Sequence, residues 1–318
     1  MDFSLGDITM EINMKYDAVV VGAGPAGLTA AIYLRRAEKS VLVIEKSTPG
    51  GQITHSPRVE NYPGYSSLSG NELGDKMFEH YMDQGGEIEL DEVVGIKGVG
   101  GDFTVIGNDN EYKAKSVIIA TGSRHRTLGI EGEEELTGEG ISYCAVCDGA
   151  FYKGQTVAVI GGGNSALQDA VLLSEGCPKV YVVQNLAFLT GEGALQKILE
   201  KRDNVEIIYS SIVESIEGGD DGLKSVTIKN TESGESRKLD VQGMFVAIGQ
   251  IPECEAFADR VKINSYGYIE AGENCLPEGD EGIFVAGDCR TKTVRQVTTA
   301  TADGAVAALS AIRYIDSL

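Results

Sequence analysis

Basic side chains are scarce in this chain. Its 318 residues include 27 lysines and arginines against 48 aspartates and glutamates, so the formal net charge is −21. A negative field of this size repels phosphate backbones and anionic lipid surfaces. The charge therefore argues against nucleic-acid-binding and membrane-binding proteins, and we expect neither kind of partner.

Long apolar runs and a basic amino terminus are also lacking. No run approaches the roughly 20 apolar residues that a membrane-spanning helix needs. The first fourteen residues carry acids and no base, whereas a secretory signal places basic residues before an apolar stretch. We therefore expect a cytoplasmic protein.

Cysteine and histidine are too few for a disulfide scaffold. Of six cysteines only Cys144 and Cys147 lie close together, in Cys-Ala-Val-Cys followed by Asp148, and there are three histidines. A zinc site would need two more ligands at compatible spacing, so no metal is predicted. The remaining alternatives are a redox-active pair and an inert buried pair. Asp148 favours redox chemistry, because thiol–disulfide exchange needs a nearby proton donor and acceptor.

Glycine, by contrast, is abundant, with 41 residues. Short β-branched runs, such as residues 17–21, 41–44 and 157–160, alternate with helical patterns such as 26–36 and 165–174. Most of these runs are continuously apolar, as expected for strands covered on both faces. The pattern predicts a doubly wound α/β protein, and the length suggests two domains at roughly 150 residues each.

Two glycine-rich turns each follow a predicted strand and open a predicted helix. The first is Gly22-Ala23-Gly24-Pro25-Ala26-Gly27, and the second is Gly161-Gly162-Gly163-Asn164-Ser165-Ala166. In this setting the backbone N–H groups at the start of a helix bind a pyrophosphate. We therefore predict a Rossmann-like nucleotide-binding fold for each half.

The two halves differ where the adenosine ribose should bind. The first half has Glu45, whose carboxylate accepts hydrogen bonds from ribose hydroxyls and repels a 2′-phosphate, as FAD or NAD requires. The corresponding residue of the second half is Gln184, which is neither an acid nor an arginine. Between Tyr181 and Glu200 the only cation is Lys197.

Two more predicted strand ends fit a flavin site in the first half. One is Ala120-Thr121-Gly122, which follows an apolar run, and the other is Gly287-Asp288. A carboxylate at the carboxyl end of a parallel strand can hold the ribityl hydroxyls of FAD.

Taken together, these motifs resemble the low-molecular-weight thioredoxin reductases over essentially the whole chain after about residue 15. The resemblance further includes Gly51-Gln52-Ile53, Val59-Glu60-Asn61-Tyr62-Pro63-Gly64 and Arg295-Gln296-Val297. It implies an FAD-dependent disulfide reductase of thioredoxin or a thioredoxin-like protein. Its fold would be two doubly wound, three-layer Rossmann-like domains, the second inserted into the first.

The resemblance also implies the domain boundaries and the role of each catalytic residue. The FAD-binding domain would comprise residues 1–123 and 251–318, and the inserted domain, 124–250, would carry the second glycine turn and the cysteine pair. Cys147 would lie by the flavin, Cys144 would attack the disulfide of thioredoxin, and Asp148 would move the proton. The family implies a homodimer and a rotation between the domains, with hinges expected at residues 122–126 and 249–252.

One departure from the family concerns the electron donor. NADPH-using members carry His-Arg-Arg where this chain has Gln184-Asn185-Leu186. Losing two charge-assisted hydrogen bonds weakens NADPH binding by about 10² to 10⁴. Three donors stay open: reduced ferredoxin, as in the ferredoxin-dependent flavin-type relatives; NADH, with Gln184 bonding the free 2′-hydroxyl; and weakly bound NADPH. The candidate contacts to a pyridine nucleotide are Gly161, Gly163, Asn164, Ser165 and Gln184.

Two other functions stay open at this point. One is the flavoprotein partner of a peroxidase, although such proteins usually carry an extra amino-terminal redox domain and only about fifteen residues precede the first predicted strand. The other is a flavin-binding electron-transfer module without catalysis. Arg124-His125-Arg126 and the pair Arg290 and Lys292 are candidate basic patches for docking.

Overall fold

The computed structural model describes residues 15–56, 58–219 and 221–318. These residues form two compact units, and each unit is assembled from separate stretches of chain. Unit 1 contains the described residues up to Gly51 together with Gly74–Gly122 and Pro252–Leu318. Unit 2 contains the described residues of Gln52–Leu73 and Ser123–Ile251. The assignment of functional domains to stretches of the chain stays a prediction.

The elements are numbered in chain order. The strands are β1 (Lys15–Val21), β2 (Val41–Glu45), β3 (Glu87–Leu90), β4 (Val93–Val99), β5 (Asp102–Gly107), β6 (Glu111–Ile119), β7 (Ser123–His125), β8 (Ile141–Ser142), β9 (Thr156–Ile160), β10 (Lys179–Val183), β11 (Val205–Ile208), β12 (Ser211–Gly219), β13 (Gly222–Asn230), β14 (Ser236–Asp240), β15 (Gly243–Val246), β16 (Gln250–Pro252) and β17 (Ile283–Val285). The helices are α1 (Pro25–Arg36), α2 (Gly70–Asp83), α3 (Ala145–Asp148), α4 (Asn164–Leu173), α5 (Gly193–Leu199) and α6 (Val297–Asp316). None of the helices in the described chain has the length and apolar character needed to cross a bilayer.

Unit 1 is built on a seven-stranded sheet in the order β3-β2-β1-β6-β5-β4, with β17 paired to β6. Strands β1, β2, β3, β6 and β17 are parallel, and β4 and β5 add an antiparallel ribbon. Strand β2 is buried along its whole length, as its continuous apolar sequence predicts. Helices α1 and α6 pack closely on one face through small residues, because a Cβ on Gly304 would lie 2.2 Å from the Ala26 carbonyl oxygen.

Unit 2 is built on a five-stranded parallel sheet in the order β11-β10-β9-β15-β8. Successive side chains of a strand point to opposite faces. In β9, Val157 and Val159 pack against α4, while Ala158 and Ile160 pack against the antiparallel sheet β12-β13-β14. The sheet is thus covered on both sides, and the predicted α/β class is confirmed.

Candidate functional site

The first glycine turn connects β1 to α1 in unit 1. Gly22 has a φ of +106°, and a Cβ there would lie 2.5 Å from the Ala120 carbonyl oxygen. At Gly27 a Cβ would lie 1.9 Å from the Gly22 carbonyl oxygen. Both positions therefore require glycine, Gly22 for its backbone conformation and Gly27 for space. The turn leads into α1 at Pro25, and the start of a helix after such a turn can bind a phosphate group.

Glu45 lies at the end of β2 and helps to hold this turn. Its carboxylate accepts hydrogen bonds from the backbone N–H of Ala23 at 2.7 Å and of Ser47 at 3.0 Å. Gly51 packs against the same turn, since a Cβ on Gly51 would lie 3.0 Å from the Gly24 Cα. The structure therefore brings these predicted contacts together, and the bond from Glu45 to a ribose stays a prediction.

Two predicted strand ends meet beside the turn. Ala120 follows β6 and Ala286 follows β17, and their neighbours Thr121 and Asp288 therefore lie at the same edge of the parallel sheet. The Asp288 carboxyl is partly buried, and its Oδ1 has no hydrogen-bond partner among the described residues. Burial raises the pKa of Asp288, whereas the positive charges of Lys292 and Arg295 oppose that rise. A buried acceptor without a partner suits a hydroxyl-bearing ligand.

Arg295, Gln296 and Val297 form the entry to α6. Gln296 caps the helix reciprocally, with its backbone N–H donating to Thr299 Oγ1 at 3.1 Å. The Arg295 guanidinium lies 4.3 Å from the ring centre of Tyr268, and its buried Nε has no hydrogen-bond partner in the described chain. Gly122 and Gly287 complete the predicted flavin contacts that belong to unit 1. Gln52 and Asn61 belong to unit 2, so their contact with FAD stays a prediction.

Cys144 and Cys147 form a disulfide in unit 2, with their Cα atoms 5.3 Å apart. Cys144 precedes the short helix α3, and its Sγ accepts a hydrogen bond from the Cys147 backbone N–H at 3.2 Å. Ala145 is buried against α4, whereas Val146 is 61% exposed. The pair is therefore anchored on one side and open to a partner on the other. The other four cysteines are buried free thiols.

Asp148 lies directly after the pair and is poised to hold a proton. Its Oδ2 accepts a hydrogen bond from the Ser142 hydroxyl at 2.6 Å, and no described residue bonds its buried Oδ1. Burial raises the pKa of Asp148, and the Ser142 hydrogen bond opposes that rise. A carboxyl group with a raised pKa and a free oxygen can give a proton to a nearby thiolate.

The second glycine turn repeats the backbone geometry of the first. The N–H of Gly22 donates to Ile44 and that of Gly161 to Val183, at 2.7 and 2.8 Å, each bridging to the next parallel strand. Gly161 has a φ of +129°, and a Cβ there would lie 2.5 Å from the Ala247 carbonyl oxygen. The turn predicted from the sequence is therefore formed, at the start of α4.

The loop after β10 folds over this second turn. The Gln184 side chain lies against Gly162 and donates to the Phe188 carbonyl oxygen at 3.1 Å. The Gly162 carbonyl oxygen in turn accepts from the backbone N–H groups of Thr190 and Gly191 at 2.9 Å each. No lysine or arginine lies between residues 184 and 192.

An acid lies in this loop instead of the cations of NADPH-using relatives. Asn164, the first residue of α4, exchanges two hydrogen bonds with Glu192, one with its backbone N–H and one with its carboxylate. Arg202, which follows α5, lies 3.6 Å from Glu175. The structure therefore adds a negative charge near Gly163 and Ser165, where a pyrophosphate would bind.

One of the two candidate basic patches is not at the surface, and two residues near the site were not predicted. Arg290 and Lys292 are buried against Asp303 and offer no surface for docking. The signal for Asp303 was an acid in an otherwise small and apolar stretch of a helix. Ser142, the partner of Asp148, lies two residues before Cys144, but only the turn between them brings its hydroxyl to the carboxylate.

Comparison with known proteins extends over both units. The family model for pyridine nucleotide-disulphide oxidoreductases matches residues 16–304. The chain is 41% identical over 307 residues to the thioredoxin reductase of Bacillus subtilis strain 168, covering 95% of this chain and 96% of that protein. The thioredoxin reductase of Listeria innocua is also 41% identical over 307 residues, with 95% of each chain covered. The crystal structure of thioredoxin reductase from Streptococcus pyogenes superposes with a TM-score of 0.91, at 40% identity, over 96% of this chain and 100% of that chain.

Proposed function

The chain belongs to the low-molecular-weight thioredoxin reductases, which are FAD-binding disulfide oxidoreductases, and from this premise we propose that it reduces the disulfide of thioredoxin or a thioredoxin-like protein. The observation that carries the proposal is the Cys144–Cys147 disulfide beside the partnerless Asp148 oxygen, in a chain that also forms the glycine turn of a flavin site. When bound, FAD supplies two-electron transfer between a donor and a disulfide.

The residues of unit 1 fit FAD at several points. The glycine turn would take the pyrophosphate at the start of α1, and Glu45 would accept from the ribose. The buried Asp288 Oδ1 would accept a hydrogen bond from the ribityl chain. The resemblance adds Gly51 and the entry to α6 as further contacts.

Cys144 and Cys147 would carry the exchange with the partner. After two electrons and two protons have reduced their disulfide, the Cys144 thiolate attacks one sulfur of the partner's disulfide and releases the other as a thiolate. The Cys147 thiolate then attacks the Cys144 sulfur, which re-forms their bond and releases the partner's second sulfur. The hydrogen bond from the Cys147 N–H supports Cys144 as the attacking sulfur, because it favours the thiolate. Asp148 gives its proton to a leaving thiolate.

For the donor we propose reduced ferredoxin or NADH in preference to tightly bound NADPH. The supporting observation is the loop over the second glycine turn, which has no cation and places Glu192 next to Asn164. A 2′-phosphate would find no positive partner there, while Gln184 retains a polar side chain that a 2′-hydroxyl can bond.

We further propose a homodimer whose FAD-binding domain comprises residues 1–123 and 251–318, with the domain of residues 124–250 inserted. The support is the resemblance, together with the paired strands β7 and β16, which lie where the chain passes between the two stretches. Sedimentation equilibrium that finds only monomers at assay concentration would count against the dimer.

The assignment of the attacking thiol is tested with Cys144→Ser. This variant should keep its flavin and lose thioredoxin reduction, because a hydroxyl cannot form the mixed disulfide. Free thiols released from oxidised thioredoxin are measured with a thiol reagent. Cys177→Ser, which alters a buried thiol elsewhere in unit 2, serves as the control and should turn over normally. Unchanged turnover in Cys144→Ser would refute the proposal.

The donor is tested by anaerobic stopped-flow mixing with reduced ferredoxin, NADH and NADPH in turn. NADPH should bleach the flavin slowly, or only at high concentration, whereas at least one of the other donors should bleach it fast. The double variant Asn185→Arg, Leu186→Arg tests the same proposal by gain of function, because it places two cations at exposed positions of the loop. It should tighten NADPH binding by about tenfold or more. Fast bleaching of the unaltered protein by micromolar NADPH would overturn the donor proposal.

A further inference from the structure

A buried network of charges supports the turn that carries Asp288. The Asp303 carboxylate of α6 accepts four hydrogen bonds, from the Gly287 backbone N–H at 3.1 Å, Arg290 Nε at 3.0 Å, Arg290 Nη2 at 2.8 Å and Lys292 Nζ at 2.9 Å. The three charged side chains are at most 10% exposed. Asp303 therefore binds the backbone of the turn and two cations at once.

Lys292 forms an ion pair with each of two carboxylates but donates a hydrogen bond to only one of them. Its Nζ lies 2.9 Å from Asp303 Oδ2 and 3.9 Å from Asp288 Oδ1. The longer distance is beyond hydrogen-bonding range. As a result Asp288 Oδ1 is buried and has no hydrogen-bond partner among the described residues, although a lysine capable of satisfying it is close by.

Arg290 cannot take the place of Lys292 beside Asp288. Its Nη1 donates to the carbonyl oxygens of Ala271, Gly272 and Thr291, each at 3.1 Å, while its other nitrogens bond Asp303. These bonds fix the guanidinium. Lysine, with a flexible stem and one charged atom, is the cation that can move between the two acids.

We propose that Asp303 is a positioning residue for FAD binding, because it holds the Lys292 ammonium beyond hydrogen-bonding distance of Asp288 and so keeps the Asp288 oxygen available to the ribityl hydroxyls. This inference rests on the proposed contact between Asp288 and FAD. Burial opposes the ionisation of Asp303, but the hydrogen bonds from Arg290 and Lys292 outweigh it and lower the pKa of Asp303. The anion that retains the lysine is therefore stable at neutral pH.

The test is a double-mutant cycle on Asp303 and Lys292. The Asp303→Asn substitution keeps the shape of the side chain. Its amide oxygen can still accept a hydrogen bond from the Gly287 N–H, but it carries no charge to retain the lysine. In Asp303→Asn, Lys292 is free to donate a hydrogen bond to Asp288 Oδ1, and the Kd of the apoprotein for FAD should rise about tenfold or more. The Kd is measured by quenching of flavin fluorescence. In the Lys292→Met background the cation that Asp303 retains is missing, so adding Asp303→Asn should change the Kd by about twofold at most.

Two controls separate positioning from loss of structure. Asp280→Asn breaks another partly buried ion pair of unit 1, Asp280 with Arg260 at 2.6 Å, and should leave the Kd for FAD unchanged. Thermal unfolding of each apoprotein reports the loss of stability alone. If Asp303→Asn weakens FAD binding equally with and without Lys292, its role is structural and the inference fails.

Two other outcomes also decide the matter. An unchanged Kd in Asp303→Asn, with a raised Kd in Asp288→Asn, overturns this inference and leaves the flavin site standing. An unchanged Kd in Asp288→Asn overturns the assignment of Asp288 and with it the inference. If Asp303→Asn alone does not fold, the comparison of the double variant with Lys292→Met still tests whether Asp303 acts only through the lysine.

Discussion

At the scale of single residues, the reactivity of the cysteine pair depends on neighbours that hold a proton or favour a thiolate. Asp148 has a raised pKa because it is buried, and Ser142 restrains that rise by donating to Oδ2. Ser142 also accepts from the Cys144 backbone N–H at 3.1 Å, which ties the carboxyl group to the start of α3. The proton donor and the attacking sulfur are thus positioned by the same hydroxyl.

Asp148→Asn should lower the rate of thioredoxin reduction by about 10²-fold, because an amide cannot give up a proton to the leaving thiolate. In the unaltered protein the rate should fall as the pH rises through the raised pKa of Asp148, since the required acid is then lost. Turnover measured across the pH range should show this limb, and the limb should be missing in Asp148→Asn. A limb of the same position and depth in the variant would assign it to another group.

Ser142 acts on the pKa of Asp148 in the direction opposite to burial. Because the Ser142 hydrogen bond lowers the pKa of Asp148, Ser142→Ala should move the same limb to higher pH. Ser233→Ala, an exposed change elsewhere in unit 2, is the control. A shift toward lower pH in Ser142→Ala would contradict the assignment of the limb to Asp148.

At the scale of elements, both nucleotide turns follow from one local rule and were predicted from the sequence. A strand must end, a helix must begin, and the chain between them must pass within contact distance of a neighbouring backbone, which requires glycine. The glycine pattern does not indicate which later segments of the chain pack against the turn. The fold of residues 184–192 across Gly162 depends on contacts at the end of another strand, so only the structure shows that an acid lies near Asn164.

Gly27→Ala should abolish stable FAD binding, because the added Cβ would lie 1.9 Å from the Gly22 carbonyl oxygen and displace the turn or α1. The measurement is flavin absorbance per chain after purification. The matched control is Gly95→Ala in β4 of the same unit, where the nearest atom to an added Cβ is a flexible one, Ile106 Cδ1 at 3.9 Å. Full flavin content in Gly27→Ala would show that the first glycine turn does not carry the pyrophosphate.

At the scale of the whole molecule, the proposed function requires a flavin site and a disulfide that exchange electrons within one chain. The alternative function, a flavin-binding electron-transfer module without catalysis, requires only the flavin site. Anaerobic reductive titration should therefore take up about four electrons per chain, two for each two-electron couple. The Cys144→Ser, Cys147→Ser double variant should take up about two. Uptake of two electrons by the unaltered protein would favour the module.

The sequence by itself determined the α/β class, both glycine turns, Glu45 at the end of β2 and the cysteine pair with Asp148. These features depend on residues that are neighbours in the chain or on a regular spacing, so composition and period are sufficient. Tertiary structure alone decided that the described residues of 52–73 belong to unit 2 and that Arg290 and Lys292 are buried against Asp303. It also decided that Asp288 keeps an oxygen without a hydrogen-bond partner in the described chain. Burial and the choice between competing ion partners depend on which distant segments meet, and no local pattern in the chain encodes that meeting.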